Sequence, residues 1–387
     1  MSVTAAAGFT AAGIASGIKP AGKLDLALVV GGESTIGAAV FTVNQAAAAP
    51  VTLSRHHLAS DPTVHAVLLN SGCANAGTGA PGLVAARGSV EAVAASLDCS
   101  VEDVLVCSTG GIGKPLPIDL VLAGIPNAIA SLEKGSDAGT LAARAIMTTD
   151  TVPKESVRSR DGFTVGGMAK GAGMVRPDMA TMLVVLTTDA VVDPSLLQEA
   201  LRGAVDESFH ALNIDGCPST NDTVILLASG DSEFTPTPGV FIQTVTAVCW
   251  DLANQLAADA EGSSRVVTIE VHGAVDDATA RRAGRLVADS ALVRSAFFGG
   301  DPNWGRLLGA LGATDLKFDP DLFGVAYEGI DIARAGVAVP HDNVALHDAI
   351  TTGDFNVTMT IGAGPGSARV ITTDLTPEYV TFNAEYS

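Results

Sequence analysis

A glycine-rich segment, Lys170-Gly171-Ala172-Gly173, leads shortly to Ala180-Thr181, and the apolar run Met182-Leu183-Val184-Val185-Leu186 follows at once. That is the layout of a chain that cuts itself between Ala180 and Thr181 and then carries Thr181 as a new first residue on a strand. A threonine hydroxyl is a weak nucleophile at neutral pH and needs a base beside it. A free α-amine titrates near pH ~8, so a terminal threonine brings its own base. The β-branch restricts χ1 and so limits the swing of the hydroxyl. Gly171 and Gly173 tolerate a strained backbone before the cut, and Ala180 leaves its carbonyl open to attack. The plain alternative is a threonine that opens a strand after ordinary turn glycines.

A second stretch, Cys107-Ser108-Thr109-Gly110-Gly111-Ile112-Gly113, follows an apolar run and reads as a glycine-rich turn. Backbone N–H groups in such a turn can converge on one point, as an oxyanion hole requires. A simple strand-to-helix loop has the same composition. Other strings fit other chemistries less well. Gly77-Thr78-Gly79-Ala80-Pro81-Gly82 matches a dinucleotide-binding spacing, but Pro81 stiffens the turn. Gly110 to Lys114 lacks the first glycine of a phosphate loop and has Pro115 where Ser or Thr belongs. No histidine placement supports Cys217 as a nucleophile, and His56-His57 alone is not a metal site.

Seven segments in order resemble the ornithine acetyltransferase (glutamate N-acetyltransferase) family, and the likeness covers nearly the whole chain. They are Cys107-Ser108-Thr109-Gly110, the block from Ala145 to Thr151, the block from Lys170 to Leu183, Ser219-Thr220-Asn221-Asp222-Thr223, Ala260-Glu261-Gly262, the block from Asp301 to Arg306, and Asn383-Ala384-Glu385-Tyr386. The resemblance implies an acyltransferase of arginine biosynthesis that moves acetyl from N2-acetyl-ornithine to glutamate by a ping-pong route through acetyl-Thr181. It implies Thr109 and Gly110 as the oxyanion hole, and Thr149, Lys170, Thr181, Glu261, Asn383 and Ser387 as substrate contacts. It implies no cofactor, with acetyl-CoA as a further co-substrate in some members, and an α2β2 assembly of the cleaved chains 1–180 and 181–387. A self-processing aminopeptidase or amidase, with water as acceptor, is the alternative. The chain departs from the family pattern at Gly111, Cys73, Gly77 and Cys217-Pro218, and Ser387 falls one position short of the usual C-terminal hydroxyl residue.

The elements that must position these residues are readable in outline. With 387 residues, 47% hydrophobic and 17% charged, the chain is globular and long enough for two lobes. A formal charge of −20 argues against nucleic acid. Five cysteines, an odd count with no CxxC spacing, fit a reduced cytoplasmic setting. No signal peptide or membrane-spanning run is read. Period-2 and continuous apolar runs predict strands over 24–30, 38–43, 65–70, 104–107, 163–168, 182–187, 222–228, 265–271, 323–332, 355–361 and 369–373. Helices are predicted over 83–97, 120–132, 139–147, 194–212, 239–260 and 276–298. The mixed order predicts packed α and β layers rather than a barrel. The resemblance makes this an αββα-like core of the N-terminal-nucleophile type over 1–275, with a smaller α/β lobe over 276–387. Strand patterns flank Thr181 on both sides, so the cut is not a domain boundary.

Overall fold

The structure, a computed structural model, describes residues 2–174 and 182–385. Ala180, Thr181, Arg176 and Ser387 lie outside the described residues. Two units divide the chain: Met1–His210 with Cys217–Leu256, and Ala211–Gly216 with Ala257–Ser387.

The first unit is built from β1 (Thr10–Ile14), β2 (Leu26–Val30), β3 (Ile36–Phe41), α1 (Ala49–Ser60), β4 (Ala66–Cys73), α2 (Gly79–Leu97), β5 (Val104–Gly111), α3 (Ile118–Ala130), α4 (Ser136–Ile146), β6 (Lys154–Arg160), β7 (Phe163–Lys170), β8 (Leu183–Thr188), α5 (Pro194–Glu207), β9 (Thr223–Ala228) and most of α6 (Pro238–Ala258). Two sheets result, ordered β1-β2-β4-β5 and β3-β9-β8-β7-β6.

Strand alternation explains the layering. Leu26, Leu28, Leu68 and Val106 face α2 and α3, packing on Val90, Val93, Val121 and Ile125. Their neighbours Ala27, Val29, Leu69 and Leu105 point the other way, onto Met168, Leu183, Val185, Ile225 and Leu227 of the second sheet. Ala142, Ala143 and Ile146 of α4 join this same interior. On the outer side of the second sheet, Gly167 lies against Val248 and Leu252 of α6. The first unit is therefore layered helix, sheet, sheet, helix, as expected. Both faces of each sheet are covered, which is why these strands read as continuous apolar runs.

The second unit contains β10 (Val266–Ala274), α7 (Asp277–Ala288), α8 (Ala291–Phe298), α9 (Trp304–Gly312), β11 (Gly324–Tyr327), β12 (Ile330–Arg334), β13 (Val337–Ala338), α10 (Asn343–Thr351), β14 (Phe355–Thr360), β15 (Gly366–Thr373) and α11 (Pro377–Glu385). They form one sheet ordered β13-β12-β11-β14-β10-β15. Val267, Ile269 and Val271 bury one face against Ala283, Val287, Phe297 and Leu307. The partly polar opposite face includes the Arg369–Glu270 ion pair at 3.0 Å. Because β10 pairs with β14 and β15, it belongs to this unit, not to the core ending at 275 that the sequence suggested.

Two expected elements divide. The helix over 276–298 breaks at Asp289-Ser290, where the Ser290 side chain caps α8 by accepting from the Val293 N–H. The strand over 323–332 is a hairpin, turned by Glu328 and Gly329 at φ 48° and 76°. Among the described residues no helix is long and apolar enough to cross a membrane.

Candidate active site

β5 does not stop at Cys107, as the sequence reading had it, but runs through Thr109 and Gly110 to Gly111. The reason is its parallel partner β4, which pairs Ser71 with Thr109 and Gly72 with Gly110. The register slips at Cys73, which faces both Thr109 and Gly111. Gly110 makes the slip possible. Its φ is +131°, and a Cβ there would stand 2.4 Å from the Gly72 carbonyl carbon and 2.6 Å from the Cys73 nitrogen. The strand end is braced from behind. Ser108 donates its hydroxyl to Asn70 Oδ1 at 2.6 Å, and Asn70 Nδ2 donates to the Cys73 carbonyl at 2.9 Å. Asn221 Nδ2 donates to the carbonyls of Ser108 and Ala74 at 2.9 and 2.6 Å. Burial pushes the Cys107 thiol up to about 12 and raises that of Cys73, so neither is a thiolate at neutral pH.

Lys170 ends β7 and is almost completely buried. Its Nζ donates to Thr109 Oγ1 at 3.2 Å. A hydroxyl that accepts from an ammonium keeps its own proton to donate. Lys170 also pairs in register with Leu183, close after the proposed cleavage point. Thr149, half-buried, sits in the loop between α4 and β6.

Asp150 ties this loop to Lys170. Its Oδ2 accepts the Thr148 N–H at 2.9 Å, and its Oδ1 accepts the Gly171 N–H at 2.7 Å. The Lys154 ammonium donates to Oδ1 at 2.6 Å, with both side chains fully buried. Burial works against the carboxylate, but Lys170, Lys154 and the backbone N–H outweigh it and hold Asp150 at about 2. Lys19 closes the cluster by donating to the carbonyls of Met147 and Leu24 at 2.6 and 2.8 Å. Burial lowers its ammonium to about 8; Asp25 opposes the shift and Lys170 adds to it.

Asp150 carries a stability prediction. The carboxyl titrates at 3.8 in the unfolded chain and at about 2 in the fold, so its contribution is complete above 3.8 and is lost as pH falls toward 2. Asp150→Asn removes the carboxylate that meets the buried Lys154 ammonium at 2.6 Å and is expected to destabilise by about 3–5 kcal/mol at neutral pH. Denaturant unfolding checks this. The gap between wild type and variant should narrow as pH falls below 3.8, and equal stability at pH 7 would refute the account.

The second unit holds two more of the expected residues. Glu261 lies in the turn after α6, next to Gly262 at φ +61°. A Cβ on Gly262 would stand 2.4 Å from the Tyr379 nitrogen, so this turn packs against the start of α11. Thr376 reinforces the junction by donating its hydroxyl to the Gly262 carbonyl. Asn383 is exposed on α11, where its Nδ2 donates to the Tyr379 carbonyl at 3.0 Å.

The structure thus joins Thr109 to Lys170 directly, and to the Thr149 loop through Asp150. Within the second unit it brings the Glu261 turn beside the helix that carries Asn383. The sequence reading missed Asp150, Lys154, Lys19 and Asp222. Asp150 and Asp222 lie inside the segments 145–151 and 219–223 that stood out, but nothing local marks which member of each does the work.

A family model described as the ArgJ family matches residues 10–387. A Thermobifida fusca protein named arginine biosynthesis bifunctional protein ArgJ is 49% identical over 388 residues, covering 100% of both chains. A Streptomyces avermitilis protein of the same name is 48% identical over 389 residues, again covering 100% of both. A crystal structure of ornithine acetyltransferase complexed with ornithine, from Mycobacterium tuberculosis, is 47% identical and covers 47% of this chain and 96% of that one, with a TM-score of 0.45.

Proposed function

The chain belongs to the ArgJ family, and from that premise we propose that it transfers an acetyl group from N2-acetyl-L-ornithine to L-glutamate through an acetyl-Thr181 intermediate. The precursor cuts itself between Ala180 and Thr181 into chains 1–180 and 181–387, which assemble as α2β2. The Thr181 hydroxyl attacks the acetyl carbonyl carbon, and its proton passes to the Thr181 α-amine. That proton then leaves with the ornithine nitrogen as the C–N bond breaks. The glutamate amine attacks the resulting ester in the same pocket, and the threonine hydroxyl is restored.

The observation that carries this reading is the Lys170–Thr109 hydrogen bond. It supports Thr109 as an oxyanion donor, because an ammonium on the hydroxyl oxygen polarises its remaining O–H toward a developing negative charge. The Gly110 N–H is the second donor. Lys170 suits a substrate α-carboxylate and Glu261 an ammonium. Thr149, Asn383 and Ser387 complete the substrate contacts. Acetyl-CoA is the further donor: any acetyl carrier whose leaving group fits can load the same threonine, and the relatives' name, bifunctional, supports a second reaction.

Initial rates with both substrates varied test the mechanism. Parallel double-reciprocal lines are expected, with a peptide beginning at Thr181 that gains the mass of one acetyl group when donor is added without acceptor. Intersecting lines and an unmodified Thr181 would sink it.

A further inference from the structure

The segment Ser219-Thr220-Asn221-Asp222-Thr223 has no part in the reaction as written so far. Asn221 holds the carbonyl of Ser108, next to Thr109. The following side chain, Asp222, accepts the Met182 N–H on Oδ1 at 3.0 Å. Thr223 donates its own N–H to the Met182 carbonyl at 3.2 Å. Residues 222 and 223 therefore hold Met182 by both of its backbone polar groups, and the Met182 N–H belongs to the amide formed by the Thr181 carbonyl.

Asp222 is fully buried, and its Oδ2 has no hydrogen-bond partner among the described residues. Burial raises its carboxyl well above the usual 3.8; the Met182 N–H, Lys170 and Ser219 oppose the shift without cancelling it. A strand end needs only one acceptor for its first N–H. A second buried carboxyl oxygen is a cost that a purely structural anchor would not require.

The geometry points to Asp222 as a positioning residue for Thr181, fixing the amide on the C-terminal side of the nucleophile so that self-cleavage and acetyl transfer proceed from one rigid backbone. This rests on Thr181 being the nucleophile, as proposed above. Asn221 and Asp222 then act as a pair: one braces the strand that carries Thr109 and Gly110, the other holds Met182 at the entry to β8.

Asp222→Ala, Asp222→Ser and Asp222→Asn test it, scored by precursor cleavage rate, kcat, KM and thermal melting of the full-length protein. Asp222→Ala and Asp222→Ser are expected to lose about 10²-fold in kcat with little change in KM, since small misplacements of a reacting group cost that much. Asp222→Asn keeps an acceptor for the Met182 amide, so it should hold kcat within about tenfold of wild type. Cleavage should slow in the same order. If Asp222→Ala does not fold, the serine and asparagine variants carry the comparison. Wild-type kcat in folded Asp222→Ala or Asp222→Ser would overturn the inference, as would losses that only follow the fraction of folded protein. A wild-type chain that neither cleaves nor transfers acetyl would instead defeat the reading of Thr181 itself.

Discussion

Gly110→Ala is expected to lower acetyl-transfer kcat by at least about 10²- to 10³-fold, the usual cost of one oxyanion donor. Two independent constraints meet at this residue. Its φ of +131° is closed to a residue with a Cβ, and the added carbon would sit 2.4 Å from backbone in β4. Backbone cannot rotate aside as a flexible side chain does, so β4 and β5 must part where Cys73 already faces two partners. Thr109 would then shift away from Lys170. Gly88→Ala is the control, because that helical glycine has nothing within 4 Å of the added carbon; it should leave kcat unchanged and slightly raise stability. Parallel kcat and melting measurements decide the matter. A Gly110→Ala protein with wild-type turnover would remove Gly110 from the reaction.

Thr181→Ala is expected to leave the precursor whole and to abolish transfer, since removing the nucleophile of a comparable catalytic unit costs on the order of 10⁶-fold. Thr181→Ser keeps a hydroxyl and should still cleave, more slowly, because serine lacks the branch that limits χ1. A denaturing gel with N-terminal sequencing reads the outcome directly. Wild type should yield a second fragment starting Thr181-Met182-Leu183. Cleavage or turnover in Thr181→Ala would mean that another residue is the nucleophile.

How much of this could be read before the structure depends on how local the cause is. β2, β4, β8 and β9 are legible because each is buried on both faces and so is almost wholly apolar. β1 is not, because Thr10-Ala11-Ala12-Gly13-Ile14 has no strand signature of its own. It exists because α4 packs so closely that a Cβ on Gly13 would stand 2.1 Å from the Leu141 carbonyl. Among the described residues β6 pairs only with β7, at the edge of its sheet, and its outer half is exposed, so it carries no apolar run. The site divides similarly. Residue type and resemblance single out Thr109, Gly110, Lys170 and Thr181. The groups that hold them act over long separations: Lys170 reaches Thr109 across 61 positions, and Asp222 reaches Met182 across 40. No spacing rule covers such distances, because the pairing is created by the sheets.

The order β3-β9-β8-β7-β6 has a consequence for the life of the molecule. β8 and β9 come from residues after 181, while β3, β7 and β6 come from residues before 180. Each fragment of the proposed cut would thus lack strands that the other holds, and neither could complete this sheet alone. Assembly would have to precede the proposed cut, while the two parts are still tethered and meet at no translational cost. After such a cut, a denatured molecule would return only by a concentration-dependent encounter of two chains. The proposed cleavage would therefore act as a ratchet: refolding would be first-order for the uncut chain and second-order for the two fragments, and the persistence of the cut form would rest on slow unfolding.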